Sequence, residues 1–147
     1  MNIQLIKRLL LAFDFEQVYS LLSSKTEDEI EACLLSLAFD DDCLLVYTYL
    51  NSRLIVEESS KLHYLASVVM SFALNHLKYG YEVSFYHAKR ALELDLTDVK
   101  LKIYMLIFYS IPEKLLSHDE AIILAREIYD VDKNNLAAQM VLGLSKI

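Results

Sequence analysis

The sequence predicts an all-α protein, and three observations carry that expectation. The 147 residues include only two glycines and one proline. Turn-rich β folds draw heavily on both, glycine for positive φ and proline for preset turns. Apolar residues recur at helical spacing along most of the chain. Finally, part of the run 79–96 returns later in the sequence. Ser84, Ala88, Ala91, Leu94 and Asp95 correspond to Ala121, Ala125, Ile128, Val131 and Asp132, each displaced by 37 positions. Self-similarity of fixed period on helical segments marks a helical repeat, in which neighbouring units bury one another's apolar faces.

About nine helices are expected from the apolar spacing. The first spans roughly 3–12 and the second roughly 14–23, with Asp14 as its cap and Val18, Leu21 and Leu22 as its apolar stripe. The third opens at Thr26, where Thr26 and Glu29 have the spacing of a capping box, and Ile30, Leu34, Leu37 and Ala38 follow at helical intervals. The fourth is expected from about Asp41 to Arg53, with Asp40, Asp41 and Asp42 read as acids at the positive end of its dipole.

A loop near 56–60 precedes a long helix over about 59–78, which stops near Gly80. The next covers 81–94, and the turn Leu96-Thr97-Asp98 leads to a helix over 98–110. Ser110-Ile111-Pro112 breaks it, because proline lacks a donor and biases the residue before it away from helix. Ser117 or His118 opens the eighth helix, about 118–130, and the last covers roughly 134–145. No linker rich in Gly, Ser or Pro divides the chain, so residues 1–147 read as one continuous domain.

Hydrophobic residues make up 55% of the chain and charged residues 24%, which excludes a disordered chain. The mean hydropathy of +0.30 fits Leu-rich helices packed on two sides. The longest uncharged run, Leu62 to Leu77, contains two histidines, an asparagine and two serines, and falls short of a membrane span. The apolar stretch after Lys7-Arg8 is too short for a secretory signal. With only Cys33 and Cys43, the expectation is a reduced, cytoplasmic, soluble chain.

Charge is distributed unevenly. Residues 1–60 carry four basic and eleven acidic side chains and hold the entire net charge of −7; residues 61–147 are balanced. An acidic field repels nucleic acid and favours a basic partner.

Motifs for catalysis are missing. No two of His63, His76, His87 and His118 stand three or four apart, and there is no Cys-x-x-Cys or His-Glu-x-x-His. Two isolated glycines make neither a phosphate loop nor a nucleophile elbow. Lys89, Arg90, Lys100 and Lys102 lie among acids, unlike the basic stripe of an RNA-binding surface. Of the ten tyrosines, Tyr47, Tyr49, Tyr79, Tyr81, Tyr104 and Tyr109 could anchor a partner, although side-chain packing between helices accounts for most of them. No catalytic residue, cofactor or metal is therefore expected.

Ala91-Leu92-Glu93-Leu94-Asp95 resembles the end of the second helix of a tetratricopeptide repeat, with Leu96 where that family has proline. Tyr81, Ser84 and Ala88 match its aromatic and small positions. Ala121, Ala125, Ile128 and Asp132 resemble a second copy, with Lys133 in place of proline, and Leu142-Gly143 looks like the Leu-Gly pair of a further first helix. The resemblance covers about 62–147. It implies a right-handed array of antiparallel helix pairs, an α-solenoid, with 1–60 as degenerate repeats or a cap. It also implies a protein-binding role.

The function expected is a non-enzymatic binding module, most simply a cognate inhibitor such as a bacterial immunity protein that blocks a basic toxin. The partner-binding candidates are Glu27, Asp28, Glu31, Asp41, Asp42, Glu57 and Glu58, with Tyr47 and Tyr49. Helix-end preference explains where some of these acids sit but not the shortage of cations beside them. No nucleic acid and no membrane is expected as partner, and a homodimer is left open. The rival is a chaperone or peptide adaptor of the tetratricopeptide sort. Its carboxylate clamp would have to come from Asn75, Lys78 and Lys102.

Overall fold

A computed structural model describes residues 1–41 and 44–144. Among the described residues the regular structure is helical throughout, with no strand. The helices are α1 (Ile3–Leu11), α2 (Phe15–Leu22), α3 (Glu27–Asp41), α4 (Leu44–Val56), α5 (Ser60–Val68), α6 (Gly80–Leu94), α7 (Val99–Met105), α8 (Ile107–Ser110), α9 (His118–Val131) and α10 (Leu136–Val141). A π turn, Val69–Ala73, continues α5. Counting that turn with α5, and α8 with α7, gives nine helical units among the described residues, against the about nine that the sequence predicts.

Local chemistry accounts for most of the helix starts. Asp14 accepts the Gln17 N–H at 3.2 Å and caps α2. The Thr26–Glu29 capping box is formed at α3: the Thr26 N–H donates to the Glu29 carboxylate at 2.9 Å and the Glu29 N–H to the Thr26 hydroxyl at 3.3 Å. Ser117 and Glu120 repeat the device at α9. The two backbone hydrogen bonds concerned satisfy donors that a helix start leaves orphaned. They hold both glutamates below the ordinary carboxylate range, the backbone bond weighing most at Glu29 and the serine hydroxyl at Glu120.

The 37-residue period extends well beyond the five matched positions. α5 and α7 end their regular turns at Val68 and Met105, and each is followed by an irregularity, the π turn after one and a break at Leu106 after the other. α6 and α9 end at Leu94 and Val131. Asp95 and Asp132 then accept N–H bonds from Thr97 and Asn134, and Asp98 and Asn135 cap α7 and α10. Every one of these correspondences is a displacement of 37. Ser84, Ala88, Ala91, Ala121, Ala125 and Ile128 are all buried.

Helix packing proceeds along the chain, α5 against α6, α6 against α7, α7 against α9, and α9 against α10. Two apolar clusters result. One joins α1–α5 and the π turn through residues such as Ile6, Leu10, Leu34, Leu50 and Leu74. The other joins α6–α10 through Ala88, Phe108, Ala121, Ala125 and Ile128. The α5–α6 contact is the seam between them.

Several boundaries differ from expectation. The helix expected over 59–78 leaves α-geometry after Val68; the Leu74 N–H reaches back five residues to Val69 at 3.1 Å. Tyr79 adopts φ 64°, and α6 starts at Gly80, where a Cβ would stand 2.7 Å from the Leu74 carbonyl oxygen. Only glycine tolerates that approach. The helix expected over 98–110 is divided at Leu106.

Asp40 and Asp41 belong to the last turn of α3 and not to the start of α4. The Asp40 carboxylate therefore meets the negative end of a helix dipole, and capping does not account for it. Asp42 and Cys43 lie outside the described residues; Cys33 is free and buried. Leu142-Gly143, expected inside a continuing helix, ends α10 instead. Gly143 adopts φ 69°, its N–H bonds to Met140, and the Leu144 N–H returns to Gln139 at 2.8 Å, the glycine-terminated closure of a helix.

Candidate functional site

Two adjoining grooves and one buried polar cluster surround α5. The first groove, about 360 Å³, runs between α3, α5 and the α6–α7 turn. Its acids are Glu27, Asp28 and Glu31 from α3 and Asp95 and Asp98 from the turn, facing Lys61 and Lys100. Three of the predicted partner-binding acids thus share one groove, because they occupy neighbouring positions at the start of one helix. Two further acids join them from the far side of the chain. Lys61 pairs with Glu27, and the Tyr64 hydroxyl lies 3.4 Å from Glu31. Burial, helped by Glu31, raises the Tyr64 phenol to about 12, so it stays a neutral donor.

The second groove, about 280 Å³, meets the first at Lys61 and Leu65. Leu22, Ile30, Leu34, Leu50 and Leu62 make it apolar, with Tyr19, Tyr49, Arg53 and Glu57 among its polar groups. Tyr49 is buried against Phe15, and burial raises its phenol to about 12. Arg53 is also buried; it stacks 3.9 Å over the Tyr19 ring and bonds Glu16 at 3.1 Å. Folding brings cations to two of the candidate acids, Lys61 to Glu27 and Arg90 to Glu58, and pairs Arg53 with Glu16.

The remaining candidates are placed elsewhere. Glu58 accepts two bonds from Arg90, at 2.7 and 3.0 Å, and lies 3.0 Å from His63 Nε2. These bonds, the arginine's first, hold its carboxyl at about 2. Tyr47 is half-buried, with its hydroxyl 2.9 Å from His87 Nε2. Of the clamp considered for an adaptor, Asn75 bonds Ser71 and Tyr81, Lys78 lies over the Tyr79 ring, and Lys102 pairs with Glu127.

Sequence reasoning missed the polar cluster on the α5–α6 seam. His63 and His87 are both buried and face each other Nδ1 to Nδ1 at 2.8 Å. Ser67 and Ser84 exchange hydroxyl–carbonyl bonds at 2.7 Å, and the Tyr104 hydroxyl lies 2.9 Å from both Ser67 and Ser71. Burial, then the charge of His63, pushes the His87 imidazole down to about 4. The two histidines are 24 residues apart on different helices, a separation that matches no metal or catalytic motif. The nearest signal was the serine at position 84, which the second copy replaces with alanine.

Among the described residues no three His, Cys, Asp or Glu side chains are grouped to hold a metal ion, and no helix is long and apolar enough to cross a membrane. Comparison with protein-family models, curated proteins and solved structures finds no match to this chain.

Proposed function

We propose that this chain is a non-enzymatic protein-binding module that captures a basic partner, acting as a cognate inhibitor in the manner of a bacterial immunity protein. The observation that supports the reading is the acidic groove, where five carboxylates face two lysines. Because α3 and the α6–α7 turn both line it, the groove presents charge from both halves of the chain to one ligand. Such a field speeds encounter with a cationic surface and selects against acidic ones. The apolar groove beside it offers Tyr19 and aliphatic side chains as contact area. In this reading the successive helix pairs form a right-handed, tetratricopeptide-like array of antiparallel pairs, and the protein works in the cytoplasm.

The test is kinetic. With the partner isolated from the native host, association is measured for the parent and for an Asp28→Lys, Glu31→Lys variant across a range of salt concentrations. Slower association in the variant, with a shallower salt dependence, is expected, since salt limits the field to about 8 Å at physiological ionic strength. Glu113→Lys, a charge reversal outside the groove, should leave the rate close to the parent's. A rate indifferent to both the groove substitutions and salt would remove this face from the interface.

A further inference from the structure

The polar cluster on the α5–α6 seam has a proton arrangement that its geometry dictates. The Glu58 carboxylate, held by Arg90, can only accept, so His63 donates from Nε2 at 3.0 Å. A neutral His63 then offers Nδ1 as an acceptor, and His87 must donate from its own Nδ1 across 2.8 Å. That leaves His87 Nε2 to accept the Tyr47 hydroxyl proton at 2.9 Å. One added proton is absorbed by reversing the chain: His63 donates from both nitrogens, and His87 accepts at Nδ1 and donates from Nε2 to the Tyr47 oxygen. A second proton has no place. Both facing nitrogens would then carry hydrogen, and two cations would meet in a buried site with no acceptor between them.

We propose that the His63–His87 pair is an acid-sensitive latch on the seam between the two apolar clusters, closed while the pair carries at most one added proton and opened by a second. The charged and titratable groups around it come from every element that meets there: Tyr47 from α4, Glu58 from the segment before α5, and Tyr86 and Arg90 from α6, with Glu93 reached through Arg90. Among the described residues Glu58 is the one carboxylate bonded to the pair, and Arg90 already shares it, so a second imidazolium gains no counterion of its own there.

The direction of the effect follows from linkage. The folded His87 value of about 4 lies below the ordinary 6.5. The unfolded chain therefore binds more protons than the folded one between those values, and stability is lost as pH falls through that window. From pH 7 to pH 5 the folding equilibrium should fall roughly twentyfold from this group alone.

The experiment follows urea unfolding from pH 7 to pH 5, a range chosen to lie above the ordinary carboxylate titrations, for the parent and for His87→Gln. Glutamine keeps hydrogen-bonding groups and cannot be protonated. A steep loss in the parent and a flatter curve in the variant support the latch; identical curves overturn it. Imidazole ¹⁵N spectra of the parent provide a reading that does not depend on the variant folding. At pH 7.5 His87 should be the Nδ1–H tautomer, and its imidazolium form should appear only together with loss of the α5–α6 amide signals. A folded spectrum with both imidazoles as imidazolium would overturn the proposal.

Discussion

The α5–α6 pair and the α7–α9 pair follow one plan displaced by 37 residues, yet their contacts have opposite chemistry. Small residues are buried at equivalent positions in both, Ser84 with Ala121 and Ala88 with Ala125. The aspartates after α6 and α9 make the same turn. Around that shared frame the first pair buries Ser67, Ser84, His63 and His87, whereas the second buries Phe108 and Ala121 and packs Leu124 where the first has His87. The difference teaches that this repeat specifies where helices approach closely and how they end, and leaves the character of the contact free. A polar seam can stand in a repeat position because each of its buried polar atoms finds a partner; no buried side-chain nitrogen or oxygen among the described residues is without one.

Three experiments sharpen or break that comparison. The largest effect is expected from Phe108→Ala in the apolar pair. The ring is 1% exposed and packs against Phe85 and Tyr104, so truncation should leave a cavity and cost about 3–5 kcal/mol in urea unfolding. A loss much below that range would mean that the second pair closes up around the gap and is less tightly packed than its burial indicates.

Next come Ala88→Phe and Ala125→Phe, one in each pair and 37 residues apart. Both alanines are fully buried, and a large ring at either should overpack the contact by about 1–3 kcal/mol. Comparable losses in thermal melting are the outcome expected of equivalent positions. If one variant melts at the parental temperature, the 37-residue register does not describe that pair.

The smallest effect belongs to Ser84→Ala, which places the residue of the second pair into the first. It removes two hydroxyl contacts to Ser67, at 2.7 and 2.9 Å, and a loss of about 1 kcal/mol is expected. A variant as stable as the parent would show that the polar seam tolerates the apolar solution at this position.

Features set by neighbouring residues were legible in advance. Asp14 and the Thr26–Glu29 box were read correctly because a cap and its target lie within one turn. The small positions of α6 and α9 were legible because they recur at a fixed period. The gathering of Glu27, Asp28 and Glu31 on one helix start was legible too, though the part played by Asp95 and Asp98 was not, since a turn in the other half supplies them. Asp40 and Asp41 were placed on the wrong helix because an acid near a boundary fits either side of it until hydrogen bonds decide. Gly143 was read as a small residue within a helix, although glycine serves equally as the left-handed residue that ends one.

By itself the sequence determined the helical class, the 37-residue period, most helix starts and the imbalance of charge, because each depends on residue type and on separations of a turn or two. Tertiary structure alone decided which cations neutralise which acids, where α5 yields to a π turn, and that His63 meets His87. Those outcomes depend on which helix faces are brought together once apolar surface is buried. Hydrophobic burial is not directional, so it encodes no polar partners. They are chosen afterwards, when each buried donor must find an acceptor within about 3 Å.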